Sequence, residues 1–279
     1  MSADAPHLPK GATNIAITPA FASKAKELLE KRLHTWIMSL IAIPGYAEWK
    51  NDKLKEQLMF SVDPDHNFPD GDDFVFTKEI MDQHTLITGY YNVLTAMMTV
   101  RQTELYFRRY PFRNREVSRE DHLKTCCELL FSRVYHFRER FFTHLTKLDR
   151  ATEPRKSLDL LALRHSFEAH FKQVLDQRRI INHETGYSDI ELGSIGLNDM
   201  LSDADAEFAA FRTTQHVYRT VSGNWARKTR AIADDLDLYV GYAAAQMLLR
   251  CSFLEDQEAA IKSLRSSGNT CTTKARPVF

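Results

Sequence analysis

The chain has 279 residues, 43% of them hydrophobic, which is enough for one large domain or two small ones with a buried core. Its 37 basic and 37 acidic residues cancel, which argues against a protein that coats nucleic acid through bulk positive charge. The longest apolar run is too short for a membrane span, and the four cysteines show neither zinc-ligand nor disulfide spacing. We therefore expect a cytoplasmic protein with no membrane segment, metal or cofactor.

The N-terminal part is predicted to contain two helices and an acidic loop. Residues 1–20 are predicted to be an irregular lead-in, and residues 21–76 are predicted to hold the helices, at 21–43 and 46–60. Pro44-Gly45 separates these helices, because proline and glycine interrupt a helical pattern. Turn residues and aspartates make 63–73 the acidic loop.

Residues 77–265 are predicted to form the main helical bundle, which a polar tail follows at 266–279. Apolar residues recur at spacings of three and four, as in Leu123, Cys127, Leu130 and Val134, which is typical of amphipathic helices. Helices are predicted at 77–110, 118–149, from 157 onward, 203–253 with a break near Ser222-Gly223, and 255–266. Residues 186–201 are predicted to be a loop. The expected fold is all-α, an up-and-down-like bundle of long helices with shorter flanking helices.

Arginine and histidine concentrate in residues 164–184, which carry three of each. Arginine is a permanent cation suited to bidentate phosphate binding, and histidine exchanges protons near neutral pH. The segment ends in Arg178-Arg179-Ile180-Ile181-Asn182-His183-Glu184. The combination predicts chemistry at a phosphodiester.

Two Arg/His pairs fit this hypothesis, and each also has a structural explanation. Arg178 and His183 lie near a predicted helix end, where basic side chains also stabilise the helix macrodipole. Arg164 and His170 lie upstream, where His170 follows the apolar pattern closely enough to be a partly buried core histidine. We favour Arg178 and His183 and keep Arg164 and His170 as the alternative.

The spacing Arg-x(4)-His followed by Glu, late in a helix of an all-α protein, resembles the signature of the HEPN superfamily (higher eukaryotes and prokaryotes nucleotide-binding). Members often show Arg-Asn-x-x-x-His-Glu, and this chain has Arg179 at the second position. The resemblance implies a helical bundle that dimerises and acts as a metal-independent endoribonuclease of a defence or toxin type. It also implies RNA as substrate and a neutralising partner protein.

The resemblance assigns a role to each motif residue. His183 is expected to transfer protons at the ribose 2′-hydroxyl or the leaving oxygen, and Arg178 to bind the phosphate. Arg179, Asn182 and Glu184 are expected to support them, Arg179 at the phosphate and Asn182 at the histidine or the ribose.

A second basic segment, residues 104–115, interleaves arginines with aromatic residues. Arginine and aromatic side chains together hold phosphates and stack on unpaired bases, which makes Arg108, Arg109, Arg113 and Arg115 candidate RNA-binding residues. The structural alternative is that the aromatic residues are core or dimer-interface residues flanked by solvated charge.

Two other functions are consistent with the sequence. The first is a non-catalytic helical module that binds a protein or a nucleotide. The second is a helical small-molecule-binding protein with an internal pocket lined by aromatic residues. The ribonuclease hypothesis requires an arginine and a histidine side by side in an exposed positive cleft, which neither alternative requires.

Overall fold

The computed structural model describes residues 18–62, 74–111, 117–151, 158–183, 187, 190–204 and 210–254, and their regular structure is entirely helical. These residues form eight α-helices: α1 (Pro19–Ile41), α2 (Tyr46–Val62), α3 (Lys78–Arg108), α4 (Arg119–Ala151), α5 (Leu160–His170), α6 (Lys172–His183), α7 (Ile190–Ala204) and α8 (Ala210–Arg250). The predicted all-α bundle is confirmed. None of these helices is both long and apolar enough to cross a membrane.

Several predictions fall on residues that the structure does not describe. The residues concerned are most of the N-terminal lead-in, the acidic loop 63–73, Arg113 and Arg115, Glu184, the short helix predicted at 255–266 and the tail at 266–279.

Short polar residues begin the principal helices. The hydroxyl of Thr18 accepts a hydrogen bond from the backbone N–H of Phe21, and the hydroxyl of Ser118 accepts one from Asp121. Thr77 and Asp159 cap α3 and α5 in the same way. Each cap satisfies a backbone donor that the helix itself leaves without a partner, which is why the helices begin at these residues.

Helix α3 runs antiparallel to both of its large neighbours, α4 and α8. Along α3, residues of increasing number contact residues of decreasing number on α8, namely Arg101 with Asp234, Glu104 with Arg230 and Phe107 with Trp225. The same order holds against α4. Consecutive long helices joined by a short connection therefore alternate in direction, as expected for an up-and-down arrangement.

Helix α8 runs parallel to α4, and α5, α6 and α7 lie between these two helices in the chain. Along the contact of α4 with α8 the residue numbers of both helices increase in the same direction, from Phe131 with Trp225 to Phe141 with Tyr239. Small residues allow α1 to lie close to α8: a Cβ added at Gly241 would lie 2.4 Å from the Cα of Ala22. Helix α8 is thus the element around which the bundle assembles, in contact with α1, α3, α4 and α7.

Aromatic side chains fill the core between α4, α5 and α8. Phe137, Phe141 and Phe167 are completely buried and stack on one another with ring centroids about 6 Å apart, between 5.8 and 6.2 Å. Tyr239 closes this cluster in a T-shaped contact with Phe167, with 4.9 Å between the ring centroids. Burial of such large apolar rings is a major contribution to stability.

The prediction of a loop at 186–201 is wrong, because residues 190–204 form α7. Gly196 lies where α7 meets α4, and an added Cβ would overlap the carboxylate of Glu120 at 1.8 Å. Leu192 and Ile195 are completely buried. Tertiary packing of this apolar face therefore overrides the weak helix propensity of glycine.

The predicted break at Ser222-Gly223 is also absent, since α8 is continuous from residue 210 to 250. The helix predicted from residue 157 is instead divided at Phe171, which lies between α5 and α6 outside helical geometry. Phe171 is buried against Phe167, at 4.7 Å between ring centroids. This position sets the direction in which α6 leaves α5.

Three carboxylates in the middle of α8 bind three different helices. Asp234 accepts a hydrogen bond from Arg101 of α3, and Asp237 accepts one from Lys26 of α1 at 2.5 Å. Asp235 lies 3.1 Å from Nε2 of His170 at the end of α5. The group anchors α1, α3 and α5 to the same short stretch of α8.

Candidate functional site

Arg178 lies on the inward face of α6, which packs against α4. Its row on the helix is Val174, Arg178 and Ile181, where Val174 is buried and Ile181 packs against the core. An arginine therefore stands where the pattern of this helix would place an apolar residue. Such a position requires a specific partner for the guanidinium group.

That partner is Tyr135 on α4. The guanidinium carbon of Arg178 lies 3.5 Å from the centroid of the Tyr135 ring, which is a close cation–π stack. Stacking uses the flat face of the guanidinium group and leaves its in-plane N–H donors for a phosphate or carboxylate. The Nε atom is buried and has no hydrogen-bond partner among the described residues.

A second arginine, Arg138, approaches the same tyrosine ring from α4, with 5.8 Å from its guanidinium carbon to the centroid. Its side chain is only 16% exposed and forms ion pairs with Glu139 and Glu168. The charge of Arg138 is thus compensated, whereas no carboxylate of the described residues pairs with Arg178. Among the described residues, Arg178 is therefore a positive charge at the contact of α4 with α6 that no carboxylate compensates.

His183 is the last residue of α6, five positions after Arg178. Positions five apart on a helix point about 140° away from each other, so α6 alone does not bring these two side chains together. Arg179 is exposed and shares a helix face with His183. The structure describes only the backbone of Asn182 and His183, and Glu184 lies outside the described residues.

The alternative pair, Arg164 and His170, points toward two different helices. The guanidinium carbon of Arg164 lies 5.0 Å from the ring centroid of Phe142 on α4. His170 contacts Asp235 on α8, and its ring lies edge-on to Phe171. The structure therefore engages His170 in contacts between α5 and α8 and does not direct Arg164 toward it.

The candidate RNA-binding residues Arg108 and Arg109 lie at the exposed C-terminal end of α3. Arg108 forms an ion pair with Glu104, which also accepts two hydrogen bonds from Arg230 of α8, at 2.6 and 3.2 Å. Hydrogen bonds from Arg230 and then Arg108 hold the pKa of Glu104 below its usual range. Two arginines share one carboxylate here, so the end of α3 remains positive.

Sequence reasoning missed Tyr135, on which Arg178 stacks, and it missed Arg138 and Glu168, which form an ion pair beside that ring. The signal for the α4 residues was present, because Tyr135 and Arg138 are three positions apart beside the buried row that contains Val134, Phe137 and Phe141. Nothing in the sequence indicated that α6 would cross this part of α4.

Comparisons with known proteins do not extend the assignment. The chain matches no family model, no curated protein and no solved structure. Among the described residues, no group of three or more His, Cys, Asp and Glu side chains is arranged to hold a metal ion.

Proposed function

We propose that this protein is a cytoplasmic, metal-independent endoribonuclease of a defence or toxin type, with its site where the end of α6 meets α4. Arg178 binds the scissile phosphate, and His183 transfers the proton. The observation that carries the proposal is the state of Arg178, a half-buried cation without an acidic partner among the described residues, held by the ring of Tyr135. A phosphate supplies the negative charge that such a group lacks.

The chemistry requires one proton acceptor and one bound cation. The imidazole of His183 accepts the proton of a ribose 2′-hydroxyl, whose oxygen attacks phosphorus while the bond to the 5′-oxygen breaks. The leaving oxygen takes a proton from the imidazolium ion. The products are a 2′,3′-cyclic phosphate and a 5′-hydroxyl, and Arg178 stabilises the charge that develops on the phosphate oxygens.

Other parts of the proposal come from the family resemblance. They are a homodimer, RNA as the substrate and a protein partner that neutralises the activity. The exposed Arg179 and the positive end of α3 at Arg108 and Arg109 are consistent with an extended RNA backbone, because arginines hold phosphates wherever they remain accessible.

The test is cleavage of mixed cellular RNA in EDTA by purified wild-type protein and single variants. We expect His183→Ala and Arg178→Leu to abolish cleavage, and Arg178→Lys to retain part of it, because lysine keeps the charge but not the planar donor array. A substrate with a 2′-deoxyribose at the cleavage position should resist, since the attacking hydroxyl is absent.

His165→Ala is the matched control, because His165 is an exposed histidine in the same segment and should not affect cleavage. Thermal melts of each variant separate lost activity from lost structure. Loss of cleavage in His170→Ala alone would move the site to Arg164 and His170. Cleavage that persists in His183→Ala, or a folded wild-type protein without cleavage, would contradict the proposal.

The second candidate function is a non-catalytic module that binds a protein or nucleotide. It is favoured by the internal use of charge, since His170 pairs with Asp235 and Arg108 with Glu104. RNA or nucleotide binding that is weakened by Arg178→Leu, without any strand cleavage, is the result expected for this candidate.

A further inference from the structure

The outer face of α3 has an unusual composition for a surface. Helix α3 packs between α4 and α8, and the side turned away from them is exposed. Between Asp82 and Arg101 the helix contains no aspartate, glutamate, lysine or arginine. Solvated faces of helices normally carry charges, and a helix that lacks them all round is usually buried on every side.

Large apolar side chains lie on this face at heptad spacing. Tyr91, Met98 and Leu105 are 44%, 49% and 63% exposed, and each is separated from the next by one heptad. Three positions before each of them is an exposed, uncharged polar residue: Thr88, Thr95 and Gln102. These six residues are separated alternately by three and four positions, which is the spacing of residues at the contact between two helices that pack along each other.

The order of these residues is self-complementary. If two α3 helices pack antiparallel about a two-fold axis beside Thr95, Tyr91 of each copy lies opposite Met98 of the partner subunit. Tyrosine and methionine suit each other, because the thioether packs well on an aromatic ring. A two-fold contact also places uncharged residues opposite uncharged residues, so no charge is buried without a partner.

Charges at the two ends of α3 favour the antiparallel over the parallel arrangement. The first turns carry Glu79 and Asp82 beside Lys78, a net charge of −1, and the end carries Arg108 and Arg109. Parallel pairing would place each arginine beside the same arginine of the partner helix, and the two positive charges would repel each other. Antiparallel pairing places this basic end at the level of the acidic end of the partner helix.

We propose that a second copy of this chain covers the outer face of α3, through antiparallel pairing of the two α3 helices. The inference rests on the α3 face alone and does not depend on the ribonuclease proposal. It identifies the surface of self-association, whereas the family resemblance concerns only the existence of a dimer.

The first test is the mass of the full-length protein in solution over a concentration series, by sedimentation equilibrium. The wild type should be a dimer. Met98→Glu should raise the dissociation constant roughly hundredfold, because each of two symmetric contacts loses about tenfold in affinity. Met98→Leu should remain a dimer. Leu161→Glu is the matched control, since Leu161 is an apolar residue on α5 that is exposed to 68%.

Circular dichroism should show the same helix content in Met98→Glu as in the wild type, because the side chain is exposed. A wild type that is monomeric throughout the series would overturn the proposal, and so would a dimer that Met98→Glu leaves intact. Either result would mean that something other than a second copy covers the face.

Cysteine cross-linking tests the direction of the pair. In a Cys271→Ser background, a mixture of Thr88→Cys and Gln102→Cys proteins should cross-link under mild oxidation, while each protein alone should not. Thr88 and Gln102 are equidistant from the axis, and the three described native cysteines are buried. Self-cross-linking of each single variant would indicate parallel pairing and would overturn the antiparallel arrangement.

Discussion

Protonation of His144 should destabilise the fold below neutral pH. This histidine on α4 is 1% exposed, and neither ring nitrogen has a hydrogen-bond partner among the described residues. The backbone of Gly89 on α3 lies against the ring, since an added Cβ there would be 2.7 Å from Nδ1. The site has no room to hydrate a charged imidazole.

Burial, with a smaller contribution from the charge of Lys147, lowers the pKa of His144 from its ordinary value of 6.5 to about 4. A lowered histidine pKa means that the unfolded chain binds the proton more readily than the folded chain does. The contribution of His144 to stability is therefore complete above the unfolded pKa and is lost as the pH falls toward the folded pKa.

The size of the effect follows from the two pKa values. The difference between the pKa values of the unfolded and folded states lowers the free energy of unfolding by about 2 kcal/mol between pH 7 and pH 5. The loss reaches about 3 kcal/mol once the pH is below the folded pKa. Native proteins have only about 5–15 kcal/mol of stability, so the loss is readily measurable.

The assay is urea unfolding of the wild type and His144→Leu at pH 7 and pH 5, followed by circular dichroism. Leucine has a similar volume and does not titrate, so the wild type should lose about 2 kcal/mol more than the variant between the two pH values. Carboxylates and other histidines titrate in both proteins and cancel in the difference. An equal loss in both proteins would refute the role of His144.

Two further predictions concern packing and charge, and urea unfolding at pH 7 checks both. Gly241→Ala should destabilise the protein by about 1–3 kcal/mol, because α1 must move away from α8 to admit the methyl group. Gly223→Ala should stabilise the protein by about 0.5–1 kcal/mol, because an added Cβ there meets nothing within 4 Å and alanine favours the helix. Equal effects of the two alanines would contradict the close approach at Ala22. Glu104→Gln should cost about 1–2 kcal/mol, since Arg230 loses its carboxylate, and an unchanged midpoint would mean that the pair contributes nothing.

The boundaries of the long helices were predictable because their signals are local. The helices predicted at 77–110 and 118–149 correspond to α3 and α4 within two residues. Ser118, at the predicted start of the second of these helices, caps α4, and Pro44-Gly45 separates α1 from α2 as predicted, with Gly45 at a positive φ of 80°. Capping, proline geometry and apolar periodicity act over a few residues, so they are visible without the fold.

The environment of each candidate residue was not predictable in the same way. The motif containing Arg178 was identified from its spacing, but its stack on Tyr135 depends on where α6 crosses α4. His170 was recognised as a possible packing residue, but Asp235 is its partner only because α8 returns past α5. Contacts between distant segments are decided by the arrangement of whole helices.

The sequence by itself determined that the protein is all-α, and it determined where the four longest helices mainly lie, because periodic burial of apolar side chains follows from residue order. Tertiary structure alone decided that 190–204 is helical, that Arg178 faces inward and that His144 has no polar partner. It also decided which face of α3 remains exposed. These properties depend on neighbours that are distant in the chain, and local propensities are too weak to oppose the packing that those neighbours impose.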